Sequence, residues 1–245
     1  MNSEEIKQAV RHHYGKVAVE ESSCCGSSCG CGSDASETLI ASMNDIDKEI
    51  VETADLGLGC GAPTRFAELK DGMTVLDLGS GAGIDVFLAA KQVGPTGRVI
   101  GLDMTEEMLD RAEQNKAKLG ILNAEFRKGE IEEMPVESDS IDHVLSNCVL
   151  NLVPDKRKAF SEIHRVLKRG GKFTISDIVT VGTIPDEERN DPMLWCSCVS
   201  GAVEKSDYLL LIRAAGFRNV EVTTENEYPG ERSFKILSIT VTGEK

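Results

Sequence analysis

Residues 73–105 read MTVLDLGSGAGIDVFLAAKQVGPTGRVIGLDMT, and no other stretch constrains the fold as tightly. An apolar run stops at a glycine cluster, "IDVFLAAKQVG" takes up helical spacing, and "RVIGLDMT" is apolar and strand-like again. That is a βαβ unit, and a parallel strand pair needs the crossover helix between its members. The alternation continues through helix "EEMLDRAEQNKAKLG", strands "AEFRKGE" and "IDHVLSN", helix "DKRKAFSEIHRVLKRGG" and strand "KFTISDIV". In that last helix Phe160, Ile163, Val166 and Leu167 share one face, and Gly170 and Gly171 are expected to end it. Repeated alternation predicts an α/β domain with a doubly wound, mostly parallel sheet and helices on both faces. Beyond residue 180 follow a polar stretch, a helix "SDYLLLIRAAG" and two β-rich runs, expected to complete the sheet and form a small α+β lid.

Charge narrows the function. Against 27 Lys and Arg stand 41 Asp and Glu, a formal charge of -14, so phosphate backbones and anionic lipid are repelled. Nucleic acid and membrane are therefore not expected partners. The N-terminus has no apolar signal core and no run is long enough to span a bilayer, which predicts a cytoplasmic protein. In that compartment the 8 cysteines are reduced thiols, not a disulfide frame. Four crowd into "SSCCGSSCGCG" as Cys24, Cys25, Cys29 and Cys31, and Cys60, Cys148, Cys196 and Cys198 are scattered through the folded part.

"VLDLGSGAG" sets Gly79, Gly81 and Gly83 where the first strand turns into its helix, so that the backbone can approach a ligand closely. Asp103 closes the second strand 20 residues after Gly83, where a carboxylate accepts hydrogen bonds from ribose hydroxyls. Together they point to an adenosine-bearing cofactor. The G-x-G-x-G spacing, with Asp77 before it, departs from the dinucleotide fingerprint and speaks against a nicotinamide dehydrogenase. "LDLGSGAG" and "KGEIEEMP" resemble motifs of class I S-adenosylmethionine-dependent methyltransferases, a Rossmann-like fold. The resemblance implies that S-adenosylmethionine is met by Asp77, Gly79, Ser80, Gly81 and Gly83, by Asp103 and Met104, by Glu130 at the adenine amino group, by Ile131 at the ring, and by Asn147.

"SNCVLNLVPDK" ends the fourth strand, beside the glycine strand, and puts Cys148 toward the transferable methyl group; by itself the thiol reads equally well as a buried structural cysteine. Three thiols converging would suit a soft acceptor: zinc, Cu(I) or a trivalent thiophilic metalloid. "SNCVLNLVPDKRKAF", "DLGLGCGAPT" and "LWCSCVSGA" closely resemble the arsenite methyltransferase family over roughly residues 50–205. That resemblance implies methyl transfer to trivalent arsenic held by Cys60, Cys148 and Cys198. It also implies an N-terminal redox cysteine, Cys24 or Cys25, and a thiol reductant such as thioredoxin or glutathione. Cys196 and Cys198 are spaced C-x-C and cannot both point one way, so one is spare. Trp195 is a wall of the site or simple core. The four histidines read as structural or solvated, and no general base is expected, because arsenic carries no proton to remove.

The expected organisation is an N-terminal helix and flexible Cys-rich segment over residues 1–36, a cofactor-binding domain over 37–180, and an arsenic-site and lid region over 181–245. The Cys-rich segment reads as a collector passing arsenic inward, a redox arm pairing with Cys60, or an adventitious metal-binding tail. Val203, Glu204 and Lys205 stand where many family members carry aromatic residues, and the chain stops at Lys245, short of members with a long extra C-terminal domain. The competing readings are a methyltransferase of a small organic acceptor such as a quinone or sterol, and a thiol protein that sequesters arsenic without transferring a methyl group.

Overall fold

The computed structural model describes residues 2–20, 45–189 and 191–245. Strand β1 (Thr74–Leu78) is buried on both faces, and the chain leaves it through Gly79, Gly81 and Gly83, whose φ angles are 65°, 50° and 98°. Helix α1 (Ser3–Glu20) and helix α2 (Asp45–Ala54) precede it. After it come α3 (Ile84–Gln92), β2 (Arg98–Asp103), α4 (Glu106–Leu119), β3 (Ala124–Lys128) and β4 (Ile141–Asn147). Then α5 (Lys156–Val166), β5 (Leu167–Val181), the short α6 (Asp186–Arg189) and α7 (Pro192–Cys196), α8 (Lys205–Ala214), β6 (Arg218–Tyr228) and β7 (Lys235–Glu244) complete the order.

The described residues form a seven-stranded sheet in the order β3-β2-β1-β4-β5-β7-β6. The first five of these pair in parallel, and β7 runs antiparallel to both β5 and β6. Period-2 alternation sorts the strands onto two faces. Leu76, Leu78, Ile100, Leu102 and Val144 pack with Phe160 and Ile163 of α5 and Tyr208 and Ile212 of α8. Val75, Val99 and Leu145 face the other way, against Val86, Phe87 and Ala89 of α3 and Ile50 of α2. Both faces are covered, so near-continuous apolar runs are what a parallel sheet of this kind requires.

Local signals set the ends. Gly120 stops α4 in the left-handed conformation, its N–H returning to Ala117 and Lys116 carbonyls. The Asp155 carboxylate caps α5 by accepting from the Lys158 N–H at 3.0 Å, and Asp191 caps α7 at the Met193 N–H at 2.8 Å. One boundary differs from the sequence reading. Helix α5 ends at Val166, and Gly170 and Gly171 lie inside the span of β5, because Leu167 already pairs with Ile141 of β4. The spacing of "SETLIASMND", residues 36–45, predicts a further helix there, and all of that stretch but Asp45 lies outside the described residues. No described helix is long and apolar enough to cross a membrane.

Candidate active site

The glycine loop is tied to the end of β2. Gly79 and Ser80 donate their N–H groups to the Leu102 carbonyl at 2.8 and 3.0 Å, and Gly81 donates to Asp103 Oδ2 at 2.9 Å. Asp103 Oδ1 accepts from the Thr105 N–H at 2.8 Å. The loop borders a cleft with about 1130 Å³ of space outside protein atoms, at the carboxyl ends of β1, β2 and β4. Ligands of doubly wound sheets bind at this topological position.

The cleft is acidic inside. Burial pushes Asp77 well above the usual carboxylate range, with Asp85 and Asp103 adding repulsion. Burial raises Asp85 to about 6, against hydrogen bonds from Asn147 and Thr64, and raises Asp103 against its backbone N–H bonds. Among the described residues, the buried Ser80 Oγ has no hydrogen-bond partner. Three buried carboxyls, Asp77 repelled by the other two, and an unanswered hydroxyl fit a cationic, hydrogen-bonding occupant, which S-adenosylmethionine, with its sulfonium and ammonium groups, is.

Helix α1 crosses the cleft. Lys7, Val10 and Tyr14 line it, Lys7 Nζ reaches Glu130 at 2.7 Å and Glu132 at 2.5 Å, and Arg11 reaches Glu130 at 3.3 Å. Burial works against the Lys7 charge, but the bonds to Glu130 and Glu132 outweigh it and raise its pKa. Glu130, expected at the adenine amino group, thus has both oxygens engaged by α1. Ile131 and Met104 also line the cleft, whose described lining includes three residues of α1 and none of the 181–245 region expected as lid.

At the inner end the thiols meet. Cys148 Sγ lies 3.7 Å from Cys198 Sγ, and Cys60 packs against the same apolar cluster. Two sulfurs about 2.3 Å from a shared atom stand roughly 3.5–3.8 Å apart, so the first pair is already near bonding geometry. Among the described residues no three His, Cys, Asp or Glu side chains are closed on a common metal position. Cys148 and Cys198 hold left-handed backbone, with φ of 61° and 66°, which costs about 1–3 kcal/mol for residues that are not glycine. Cys148 is fixed there by its N–H on the Ser176 carbonyl at 2.8 Å, and Cys198 by its N–H on Trp195 at 3.0 Å.

All three thiols are held protonated. Burial raises Cys60 despite its bond to Cys148. For Cys148 the bond from Cys198 favours the thiolate, but the bond to Cys60 and burial prevail. Cys198 is raised by its bond to Cys148 and by burial. Cys196 ends α7 with its thiol pushed up to about 11 by burial, and its carbonyl accepts from Tyr14 of α1 at 3.2 Å. Trp195 packs against this cluster and donates to the Leu152 carbonyl at 3.2 Å. Cys24, Cys25, Cys29 and Cys31 lie outside the described residues.

The Cys60 loop fits because its neighbours are glycines. A Cβ on Gly61 would sit 2.5 Å from Ser176 Oγ, and one on Gly59 2.8 Å from Asn147 Nδ2. Asn147, expected at the cofactor, lines the cleft but points its amide at this loop. Sequence reasoning missed Asp85 and the buried group formed by Asp177, Tyr208 and Lys156. Tyr208 donates to Asp177 at 2.8 Å, and burial raises Asp177 to about 7. An acid inside the apolar run "FTISDIV" was the available signal.

The sheet order, the glycine turn and the acidic cleft define a class I methyltransferase fold. The family model described as a methyltransferase domain matches residues 69–216. The arsenite methyltransferase of Halobacterium salinarum is 43% identical over 235 residues, covering 91% of this chain and 60% of that protein. The human arsenite methyltransferase is 33% identical, with 91% and 60% covered. The crystal structure of an arsenic(III) S-adenosylmethionine methyltransferase from Chlamydomonas reinhardtii superposes with a TM-score of 0.71 at 34% identity, covering 86% of this chain and 73% of that one. The chain belongs to the arsenite methyltransferase family, and it spans about 60% of the length of the first two relatives.

Proposed function

We propose that this chain transfers a methyl group from S-adenosylmethionine to trivalent arsenic held by Cys60, Cys148 and Cys198. The observation that carries this reading is the 3.7 Å approach of Cys148 to Cys198, with Cys60 packed against the same cluster, beside a cleft whose lining includes Cys148. S-adenosylmethionine supplies an electrophilic methyl group on a sulfonium. Asp77, Asp85 and Asp103 favour its positive charge, the glycine loop admits it to the backbone, and α1 keeps water from the cleft.

Protonated thiols suit arsenite, an uncharged hydroxide near neutral pH. Each As–OH bond exchanged for an As–S bond takes the thiol proton and leaves as water, so capture needs no net proton change and no buried thiolate beforehand. Three sulfurs leave pyramidal arsenic with a lone pair, the nucleophile. Holding that lone pair in line with the methyl carbon is the protein's main contribution, worth up to about 7–11 kcal/mol. The segment 181–245 supplies Cys198; two thiols give two electrons to the methylated, formally pentavalent arsenic and close as a disulfide, Cys24 or Cys25 being the partner of Cys60, and a thiol reductant such as thioredoxin or glutathione reopens it. The organic-acceptor alternative leaves the thiol cluster unexplained.

The test is incubation with methyl-labelled S-adenosylmethionine, arsenite and thiol. Label is expected in arsenic species, and Cys148→Ser or Cys198→Ser is expected to abolish both arsenite binding and transfer. Label appearing only in an organic acceptor, or binding confined to residues 1–36, would sink the reading.

A further inference from the structure

The amide of Asn147 makes four hydrogen bonds, and three of them go to the loop that carries Cys60. Oδ1 accepts from the Cys60 N–H at 3.1 Å and the Gly61 N–H at 3.2 Å, and Nδ2 donates to the Gly61 carbonyl at 3.0 Å. The fourth runs from Nδ2 to Asp85 Oδ2 at 2.9 Å. A flipped amide would set donors against two N–H groups and an acceptor against a carboxylate, so the orientation is fixed by its neighbours. From the opposite side Ser238 Oγ donates to the Cys60 carbonyl at 2.6 Å. The backbone of Cys60 is thereby gripped on both sides.

Asp85 connects this grip to the cleft. It is buried, lines the cleft, and has Thr64 Oγ1 at 3.5 Å as its other side-chain partner. We propose that Asn147 is a positioning residue that clamps the Cys60 loop and, through Asp85, couples arsenite capture to occupancy of the cleft by a cationic cofactor. This rests on the function proposed above. A positive occupant favours the ionised form of Asp85, which accepts best from Asn147 Nδ2. The amide then holds Oδ1 toward Cys60 and Gly61, and the third thiol faces the other two. Thermodynamic reciprocity requires that arsenite in turn tighten the cofactor.

Trp195 is the only tryptophan and packs against the thiol cluster, so its fluorescence reports arsenite without turnover. The full chain is titrated with arsenite in the presence and absence of sinefungin, a cationic cofactor analogue that transfers no methyl group. In the wild type sinefungin is expected to tighten arsenite binding roughly fivefold. Asn147→Ala should weaken arsenite binding about tenfold and abolish the tightening, and Asp85→Asn should abolish the tightening. The exchange Asn147→Asp with Asp85→Asn keeps an acceptor toward the Cys60 and Gly61 N–H groups and a donor opposite it, but sets a carboxylate oxygen against the Gly61 carbonyl. It is expected to recover part of the affinity lost in Asn147→Ala, which a general packing defect would not allow, and it serves as the test if Asn147→Ala fails to fold. Wild-type affinity in folded Asn147→Ala, or equal tightening in Asp85→Asn, overturns the clamp alone. No arsenite response in the wild type overturns the function reading, and the clamp with it.

Discussion

Single residues carry strain and charge where the chemistry is. Gly79 combines a φ of 65° with a Cβ position 2.5 Å from Val149 Cγ2, so Gly79→Ala meets both backbone and packing resistance. Such overpacking costs about 1–3 kcal/mol, and calorimetric titration is expected to show S-adenosylhomocysteine affinity reduced about tenfold or more in a chain that still folds. Asp177 makes a different prediction. Its carboxyl is fully buried and raised to about 7, against an ordinary value of 3.8. Between those values the folded state keeps a proton that the unfolded chain has released, so this group's contribution to stability falls as pH rises through the range and is constant above it. His143, pushed down to about 4 by burial, acts with the opposite sign at lower pH. The difference in urea midpoint between wild type and Asp177→Asn should therefore decline from about pH 5 to about pH 8, and a flat difference would refute the assignment.

Among the elements, α1 is the one whose role its own sequence hides. Its apolar residues are sparse, yet Ile6 and Val10 pack into the cluster that contains Cys148 and Cys198, and Tyr14 joins that cluster's edge. Lys7 bridges Glu130 and Glu132 from a half-buried position, where losing one partner leaves carboxylates unanswered. Lys7→Ala is expected to raise amide hydrogen exchange through α1 and to speed S-adenosylhomocysteine dissociation. Unchanged exchange in α1 would mean that the helix is held by its apolar side alone. Strands β1, β2 and β4 need no such partner to be recognised, because burial on both faces writes itself as continuous apolar runs.

At the scale of the molecule, the proposed function brings two ligands of different charge to one acidic protein. Raising salt from about 0.05 to about 0.5 M should weaken sinefungin binding, since screening acts on a cation in a carboxylate cleft, and should leave the binding of uncharged arsenite nearly unchanged. Equal salt dependence of both would contradict the electrostatic account of the cleft. The alternation of strands and helices, the glycine turn and Asp103 at the close of β2 were legible in sequence because each is a local pattern whose period or turn chemistry is intrinsic to the chain. Resemblance singled out Cys60, Cys148 and Cys198 as thiols that share a role. Their approach was decided by tertiary structure: Cys148 follows the end of β4, the chain after β5 returns Cys198 to within 3.7 Å of it, and Asn147 and Ser238 hold the Cys60 loop, with left-handed backbone at Cys148 and Cys198. The same holds for Asn147, whose bonds to a loop 86 residues away no local pattern announces, and for Glu130, met by α1 from 123 residues away. A chain encodes periodicity residue by residue, but a hydrogen bond across such separations exists only once the sheet has brought both ends together.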